Sequence, residues 1–311
     1  MGERLHWGRR YLMVAPDHFR VDYSINPFMD VLDQPDPRRA GRQWRALRAA
    51  LTEAGADVEV LAARPDSPDM VYAMNLGLVL ATPGPDGVPR PRAVLSHMRF
   101  EERRRESRSA GTWFAEHGFA TSYVGRGGPD DETGPHFEAG DAFAFGDALV
   151  VGCGPRTEQG ALAQLAGDLD VRVRGLRITH PAMYHLDLAF CPLDDRRAMV
   201  APSAFDESSA RALLDLVPEP LVLSEEEALT FCANSVVVGD TVLMPSCPDR
   251  VRGLLTRWGF RVVVCEVGEF HKGGGSVRCL TNPLDVTVGR DLPHRSGGEV
   301  VLPPPSREAA A

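Results

Sequence analysis

From residue 11 to residue 265 the chain repeats one order of elements, strand, strand, helix, strand, and a repeat of this length leaves few architectures open. The first unit has a short apolar strand at 11–15, a loop at 16–37 rich in Asp and Pro, a helix at 38–54 with Trp44, Leu47 and Leu51 at helical spacing, and a strand at 58–61. It lacks a hairpin partner of its own. The second pairs 71–81 with 93–98 around Pro83-Gly84-Pro85-Asp86-Gly87, followed by a helix at 101–117 and a strand at 120–124. The third pairs 141–145 with 148–152 around Gly146-Asp147, then a helix at 157–169 and a strand at 171–178. The fourth pairs 185–192 with 198–201, with Asp206 capping a helix through Leu216 and a strand at 221–223. The fifth pairs 234–238 with 241–244 around Gly239-Asp240, then a helix at 248–258 and a strand at 261–265.

Units of roughly 45 to 55 residues that each carry a small sheet and one helix fit a closed α/β propeller, with first strands at a central channel and helices on the outside. Such an arrangement leaves no long open sheet edge. Leu280 is placed to bring the chain back onto the first unit. Asn75, Glu138, His185 and Cys279, which begin inner strands, would then meet at the axis. The expectation is one catalytic domain over 1–292 and a disordered tail over 293–311, which contains Pro303-Pro304-Pro305 and Ala309-Ala310-Ala311.

Lys272-Gly273-Gly274-Gly275-Ser276-Val277-Arg278-Cys279 places side-chain-free backbone just before a cysteine. That suits a site where ligand must approach main chain and thiol together, and equally a glycine loop feeding a strand with a buried cysteine. A histidine and carboxylates elsewhere in the chain complete the outline of an activated thiol nucleophile. The net charge of −9 and pI near 5.5 argue against nucleic acid or an anionic membrane as partner. The run Arg103-Arg104-Arg105 lies among Glu101, Glu102 and Glu106 and reads first as a solvated helix start. No apolar run approaches the roughly 20 residues of a membrane span, and no secretion signal opens the chain, so a cytoplasmic protein is expected. The six cysteines are scattered, with no C-x-x-C pair, which gives no metal site and no disulfide scaffold.

Phe137-Glu138-Ala139-Gly140-Asp141, His185-Leu186-Asp187 and Gly274-Gly275 shortly before Cys279-Leu280-Thr281 resemble the guanidino-group-modifying enzymes of the pentein superfamily, an α/β-propeller fold. The likeness runs from about Tyr11 to Val286. Within it, Asn26-Pro27-Phe28-Met29-Asp30, Met74-Asn75-Leu76-Gly77-Leu78-Val79, Tyr184-His185-Leu186-Asp187-Leu188 and Phe231-Cys232-Ala233-Asn234 are most similar to the arginine dihydrolase and dimethylarginine dimethylaminohydrolase branch. The resemblance implies a hydrolase that needs no metal or cofactor. Cys279 is its nucleophile, His185 its acid and base, Glu138 the carboxylate that orients His185, and Asp187 the group that meets substrate nitrogens.

Arg103 and Arg156 match arginines that hold the amino-acid end of the substrate. Asn26, Asn75 and Gly275 complete the expected substrate site, although Asn26-Pro27 is also a common turn opening and Asp141 can serve structure alone. Asn75 stands where arginine deiminases carry aspartate, and an amide both donates and accepts. It can hold a cationic guanidinium or a neutral ureido group, so the sequence favours double hydrolysis of L-arginine to ornithine, CO2 and two ammonia. Single hydrolysis of a methylated arginine, amidino transfer and a silent binding propeller remain as rivals, and assembly into a homo-oligomer is open.

Overall fold

The computed structural model describes residues 3–124 and 134–304. Strands β1 (Arg10–Val14) and β2 (Asp57–Leu61) flank α1 (Pro37–Glu53); β3 (Gly77–Pro83), β4 (Pro89–Leu95), α2 (Arg104–Glu116) and β5 (Ala120–Tyr123) form the second unit. β6 (Ala142–Phe145), β7 (Ala148–Cys153), α3 (Gly160–Leu169) and β8 (Arg172–Arg177) form the third, and β9 (Phe190–Pro192), β10 (Arg197–Val200), α4 (Glu207–Leu216) and β11 (Glu219–Val222) the fourth. After α5 (Glu225–Leu229) come β12 (Val236–Val238), β13 (Thr241–Met244), α6 (Asp249–Arg257) and β14 (Arg261–Val264), then α7 (Gly268–His271), β15 (Asn282–Pro283) and β16 (Glu299–Val301). These strands make five small sheets, the α/β propeller expected from the repeat.

In every unit the second strand runs antiparallel to the first and parallel to the third, across a helix. The first unit takes its antiparallel strand from the other end of the chain: Tyr11 faces Pro283 and Leu12 faces Asn282. Pairing near residue 280 therefore closes the molecule. Helix boundaries follow local chemistry. Asp36 accepts from the Arg39 N–H at 2.9 Å and Pro37 occupies the first turn of α1, whose Ala40, Trp44, Leu47 and Leu51 face the core. Asp206 caps α4 in the same way, by accepting from the Ser209 N–H at 2.8 Å.

Two expectations need correction. Residues 71–76, 185–189 and 234–235 are not inner strand; 3-10 turns at Ala73–Leu76 and Leu186–Leu188, and a tight turn ending in Ser235, precede β3, β9 and β12. Asn75, Asp187 and Asn234 sit in these turns, where short polar side chains compete with ladder hydrogen bonding. The tail beyond residue 293 is not free either. Glu299, Val300 and Val301 pair in parallel with Arg172, Val173 and Arg174, covering the outer edge of β8, and Leu302 reaches over Gly175, where a Cβ would lie 2.4 Å from its Cδ2. Residues 305–311, the rest of the expected tail, lie outside the described residues.

Candidate active site

Four of the turns that open inner strands share one spacing: Tyr72 and Asn75, Phe137 and Gly140, Tyr184 and Asp187, Phe231 and Asn234. The aromatic ring is buried and the residue three positions on is brought toward the axis. A fifth segment, Gly273 to Cys279, delivers the thiol. Asn75, Glu138, His185, Asp187, Asn234 and Cys279 are all 4% exposed or less.

The first group is built on Glu138. Its Oε2 accepts from His185 Nε2 at 2.8 Å and from Arg156 Nη1 at 3.2 Å, and its Oε1 accepts the Arg99 N–H at 3.0 Å. A carboxylate in such a pair only accepts, so Nε2 carries a hydrogen and Nδ1 is the ring nitrogen left to exchange a proton. Burial pushes the Glu138 carboxyl up, but the Arg156 guanidinium and the His185 hydrogen bond more than reverse this and hold it far below the usual carboxylate range. The backbone under the pair is tied by one hydroxyl. Thr157 Oγ1 accepts the Glu138 N–H at 3.1 Å and donates to Asp141 Oδ2 at 2.6 Å, while Asp141 Oδ1 accepts the Leu186 N–H at 2.9 Å. Asp141 thus acts on the main chain beside both Glu138 and His185.

The second group surrounds Cys279. Its Sγ donates to Asp187 Oδ2 at 3.3 Å and faces Asn234 Nδ2 at 3.1 Å. The other Asp187 oxygen, Oδ1, is buried with no hydrogen-bond partner, an arrangement that costs free energy until a donor meets it. Burial raises the Asp187 carboxyl against the opposing pull of His185, the thiol and Arg278. Burial, and after it the Asp187 carboxylate, push the Cys279 thiol well above its ordinary value. The sulfur is therefore a thiol at neutral pH, and the cation needed to ionise it is not among its immediate partners.

The glycines ahead of the thiol are required by packing. A Cβ at Gly275 would lie 2.3 Å from Tyr72 Cε1, and one at Gly273 2.1 Å from the Tyr72 hydroxyl. Gly274 has φ +85°, the left-handed region, and lies against the Asn26 amide. Tyr72 and Tyr184 donate from their hydroxyls to Phe270 O and Gly274 O, each at 2.7 Å, and hold the run in place.

One cavity of about 10 Å3, roughly the room of a single water, is lined by Asn26, Asn75, Arg103, Arg156, His185, Gly275 and Cys279, together with Asp69, Tyr72 and Tyr184. Seven of the nine residues expected from the sequence share that lining, and Glu138 and Asp187 stand directly against it through His185 and Cys279. Asn26 keeps its turn role as well: its Oδ1 accepts the Phe28 N–H at 3.0 Å and its Nδ2 donates to Gly273 O at 3.1 Å. Neither arginine is a surface residue. Arg103 donates twice to Glu106, at 3.0 and 2.8 Å, and Arg156 lies over the Phe100 and Tyr184 rings and donates to Ile25 O at 3.0 Å. Asp69 sits at the same end, its carboxyl raised by burial and its Oδ1 without a partner. Tyr23, which donates to Asp69 Oδ2 at 3.0 Å, also lines a larger cleft of about 550 Å3 whose mixed charges, among them Asp22, Asp66 and Arg105, face solvent and include no thiol or imidazole.

Asn75 has one side committed. The Gly140 N–H donates to its Oδ1 at 2.8 Å, so its NH2 is the group left to meet a ligand. A Cβ on Gly140 would stand 2.8 Å from that Oδ1, 3.4 Å from Asp187 Oδ2 and 3.5 Å from His185 Nδ1, so the missing side chain keeps the meeting point of three site residues open. Sequence reasoning overlooked Asp69, Gly140, Asn234 and the two tyrosines as parts of the site. The repeated aromatic and its third successor would have flagged Gly140 and Asn234; Asp69 carries no such mark. Among the described residues no group of His, Cys, Asp and Glu is arranged to hold a metal ion, and no helix is long and apolar enough to cross a membrane.

The eukaryotic N,N-dimethylarginine dimethylhydrolase family matches residues 16–286. A dimethylarginine dimethylaminohydrolase of Mycobacterium tuberculosis is 33% identical over 276 residues, which cover 88% of this chain and 85% of that protein. A bifunctional arginine dihydrolase/ornithine cyclodeaminase of Nostoc is 36% identical over 275 residues, and there the matched part is 37% of the longer protein. The N-terminal domain of the cyanobacterial arginine dihydrolase ArgZ, solved with substrate bound, superposes with a TM-score of 0.80 at 33% identity over 89% of this chain and 98% of that one.

Proposed function

Because the chain belongs to the N,N-dimethylarginine dimethylhydrolase family of guanidino-carbon hydrolases, we propose that it is an arginine dihydrolase, with Cys279 as nucleophile and His185 as its acid and base. The observation that carries the choice within the family is the Asn75 amide, pinned through Oδ1 by Gly140 so that it presents a donor.

The substrate enters as a zwitterion with a guanidinium at its far end. Its carboxylate lies toward Arg103 and Arg156, and its ammonium against the unpartnered Asp69 Oδ1. The guanidinium donates to Asp187 Oδ1, which relieves that buried acceptor. Its positive charge also supplies what the resting thiol lacks, so the sulfur ionises when substrate is present. The thiol's proton passes to Nδ1 of His185, giving a cation that Glu138 stabilises; Sγ bonds to the guanidino carbon, and ammonia leaves with that proton from His185. His185 next takes a proton from water, the hydroxide adds to the carbon, and the S–C bond breaks to give a ureido group.

That intermediate is neutral, and a site lined by carboxylates alone would lose its charge-assisted grip on it. Asn75 donates to the ureido oxygen instead. Cys279 attacks the same carbon again, His185 protonates the nitrogen that becomes the amine of ornithine, and hydrolysis of the S-carbamoyl enzyme gives CO2 and a second ammonia.

The test is product analysis by mass with L-arginine and dimethylarginine as separate substrates. Ornithine with two ammonia per arginine supports the reading, and Asn75→Asp should then stop at citrulline with one. Stoichiometric citrulline from arginine, or citrulline and dimethylamine from dimethylarginine with arginine untouched, overturns it in favour of the single hydrolysis that the name of the Mycobacterium relative describes.

A further inference from the structure

Asn234 was not among the residues marked by chemistry, yet it is the hub on which the thiol is mounted. Its Oδ1 accepts two backbone N–H groups, Arg278 at 2.9 Å and Cys279 at 3.2 Å. Backbone N–H groups can only donate, so the oxygen must face them and the amide cannot be flipped. The NH2 end is thereby fixed on the opposite side, where Nδ2 meets Cys279 Sγ at 3.1 Å and Asp187 O at 3.1 Å. The side chain is fully buried, so water does not compete for these contacts.

Little else beside the sulfur favours a thiolate: a backbone hydrogen bond at Ser276 does so, and the larger effects oppose it. Burial and the Asp187 carboxylate both raise the thiol, and the arginines at the far end are engaged with Glu106 and Glu138. We propose that Asn234 is a catalytic residue that donates from Nδ2 to the Cys279 sulfur, stabilising it as a thiolate for attack and as the leaving sulfur when the S–C bond breaks. One amide thus sets the position of the nucleophile through its oxygen and its ionisation through its nitrogen. The unit repeat supports this reading: Asn234 holds in the fifth sheet's turn the place that Asp187 and Asn75 hold in theirs, three residues after an aromatic. Because the proposal rests on Cys279 being the nucleophile, its test must separate the two.

The full chain and Asn234→Asp are compared in two measurements against pH: kcat/KM for arginine, and the alkylation rate of Cys279 by iodoacetamide, read on its own peptide by mass. Aspartate keeps the acceptor for the two backbone groups and puts an oxygen where the donor was. We expect the rise of both profiles to move up by at least one pH unit. At neutral pH kcat should fall about 10- to 100-fold with KM changed less than about threefold, the loss typical of one hydrogen bond to a charged group. A folded Asn234→Asp with both profiles unmoved overturns the proposal. If that variant does not fold, Asn234→Ser, which removes the amide donor without adding charge, must show the same upward shift. Failure of both to fold makes the role structural and overturns it too. Turnover by Cys279→Ser at the parent rate would instead strike the nucleophile reading itself.

Discussion

Replacing Glu138 with glutamine keeps the shape of the side chain and removes its charge, which tests the centre of the site directly. Oε2 accepts from both His185 Nε2 and Arg156 Nη1, and Oε1 accepts the Arg99 N–H. A glutamine has one acceptor oxygen. If that oxygen keeps Arg99, its NH2 faces two donors; if it turns, the Arg99 N–H is left facing NH2. Arg156 has a side chain only 2% exposed, so its charge is then buried without its partner. Breaking a buried pair from one side costs about 3 to 5 kcal/mol, and that is the loss of unfolding free energy expected at pH 7.

The pH dependence has a definite sign. The folded Glu138 carboxyl is held far below the value of about 4.3 it has when unfolded, so its stabilisation is fully present above that pH and fades as pH falls through the folded value. The gap between parent and Glu138→Gln in urea denaturation should therefore be flat from pH 6 to 8 and narrow below about pH 4. Turnover should drop by about 10^2 to 10^4, the share that a positioned acid and base contributes, since neutral Gln does not stabilise the His185 cation. A stability gap under about 1 kcal/mol at pH 7, or one that widens on acidification, would refute the assignment of Glu138 as the buried partner of Arg156 and His185.

Cys279→Ser should lose turnover, because a hydroxyl at this pH is a far weaker nucleophile, while its circular dichroism and melting stay those of the parent; retained turnover would remove the covalent route. Agmatine lacks the carboxylate that Arg103 and Arg156 are placed to meet, so its kcat/KM should be about 10- to 100-fold below that of arginine, as expected for one charged hydrogen bond. Equal rates on the two substrates would detach those arginines from the amino-acid end. Gly140→Ala inserts a Cβ 2.8 Å from Asn75 Oδ1 and 3.5 Å from His185 Nδ1, and a misplacement near 1 Å at a reacting centre is expected to cost about 10^2 in kcat. A variant within twofold of the parent would show that the three side chains do not meet there.

Much of this architecture is legible in the order of the residues. Strand and helix periodicity is local, so five units with their hairpin turns, the cap at Asp206 and the return of the chain near residue 280 could be read from neighbouring residues. Residue type carried the chemistry too, since a thiol after a glycine run, an imidazole and two carboxylates admit few joint uses. The propeller and the resemblance placed Asn75, Glu138, His185 and Cys279 together and paired Glu138 with His185, but other contacts between units could not be read: Asn75 and Gly140 are 65 residues apart and Cys279 and Asp187 92, and no periodicity relates such pairs.

Only the folded chain decided that the nearest carboxylate to the thiol opposes its ionisation, that Asn75 offers a donor because Gly140 takes its oxygen, and that Asn234 carries the sulfur. The strand at 299–301 belongs to the same class, because its reason to form is the open edge of β8, which lies over a hundred residues earlier in the chain. Local pattern determines which elements form; burial and the pairing of distant polar groups determine what each side chain can do once they meet.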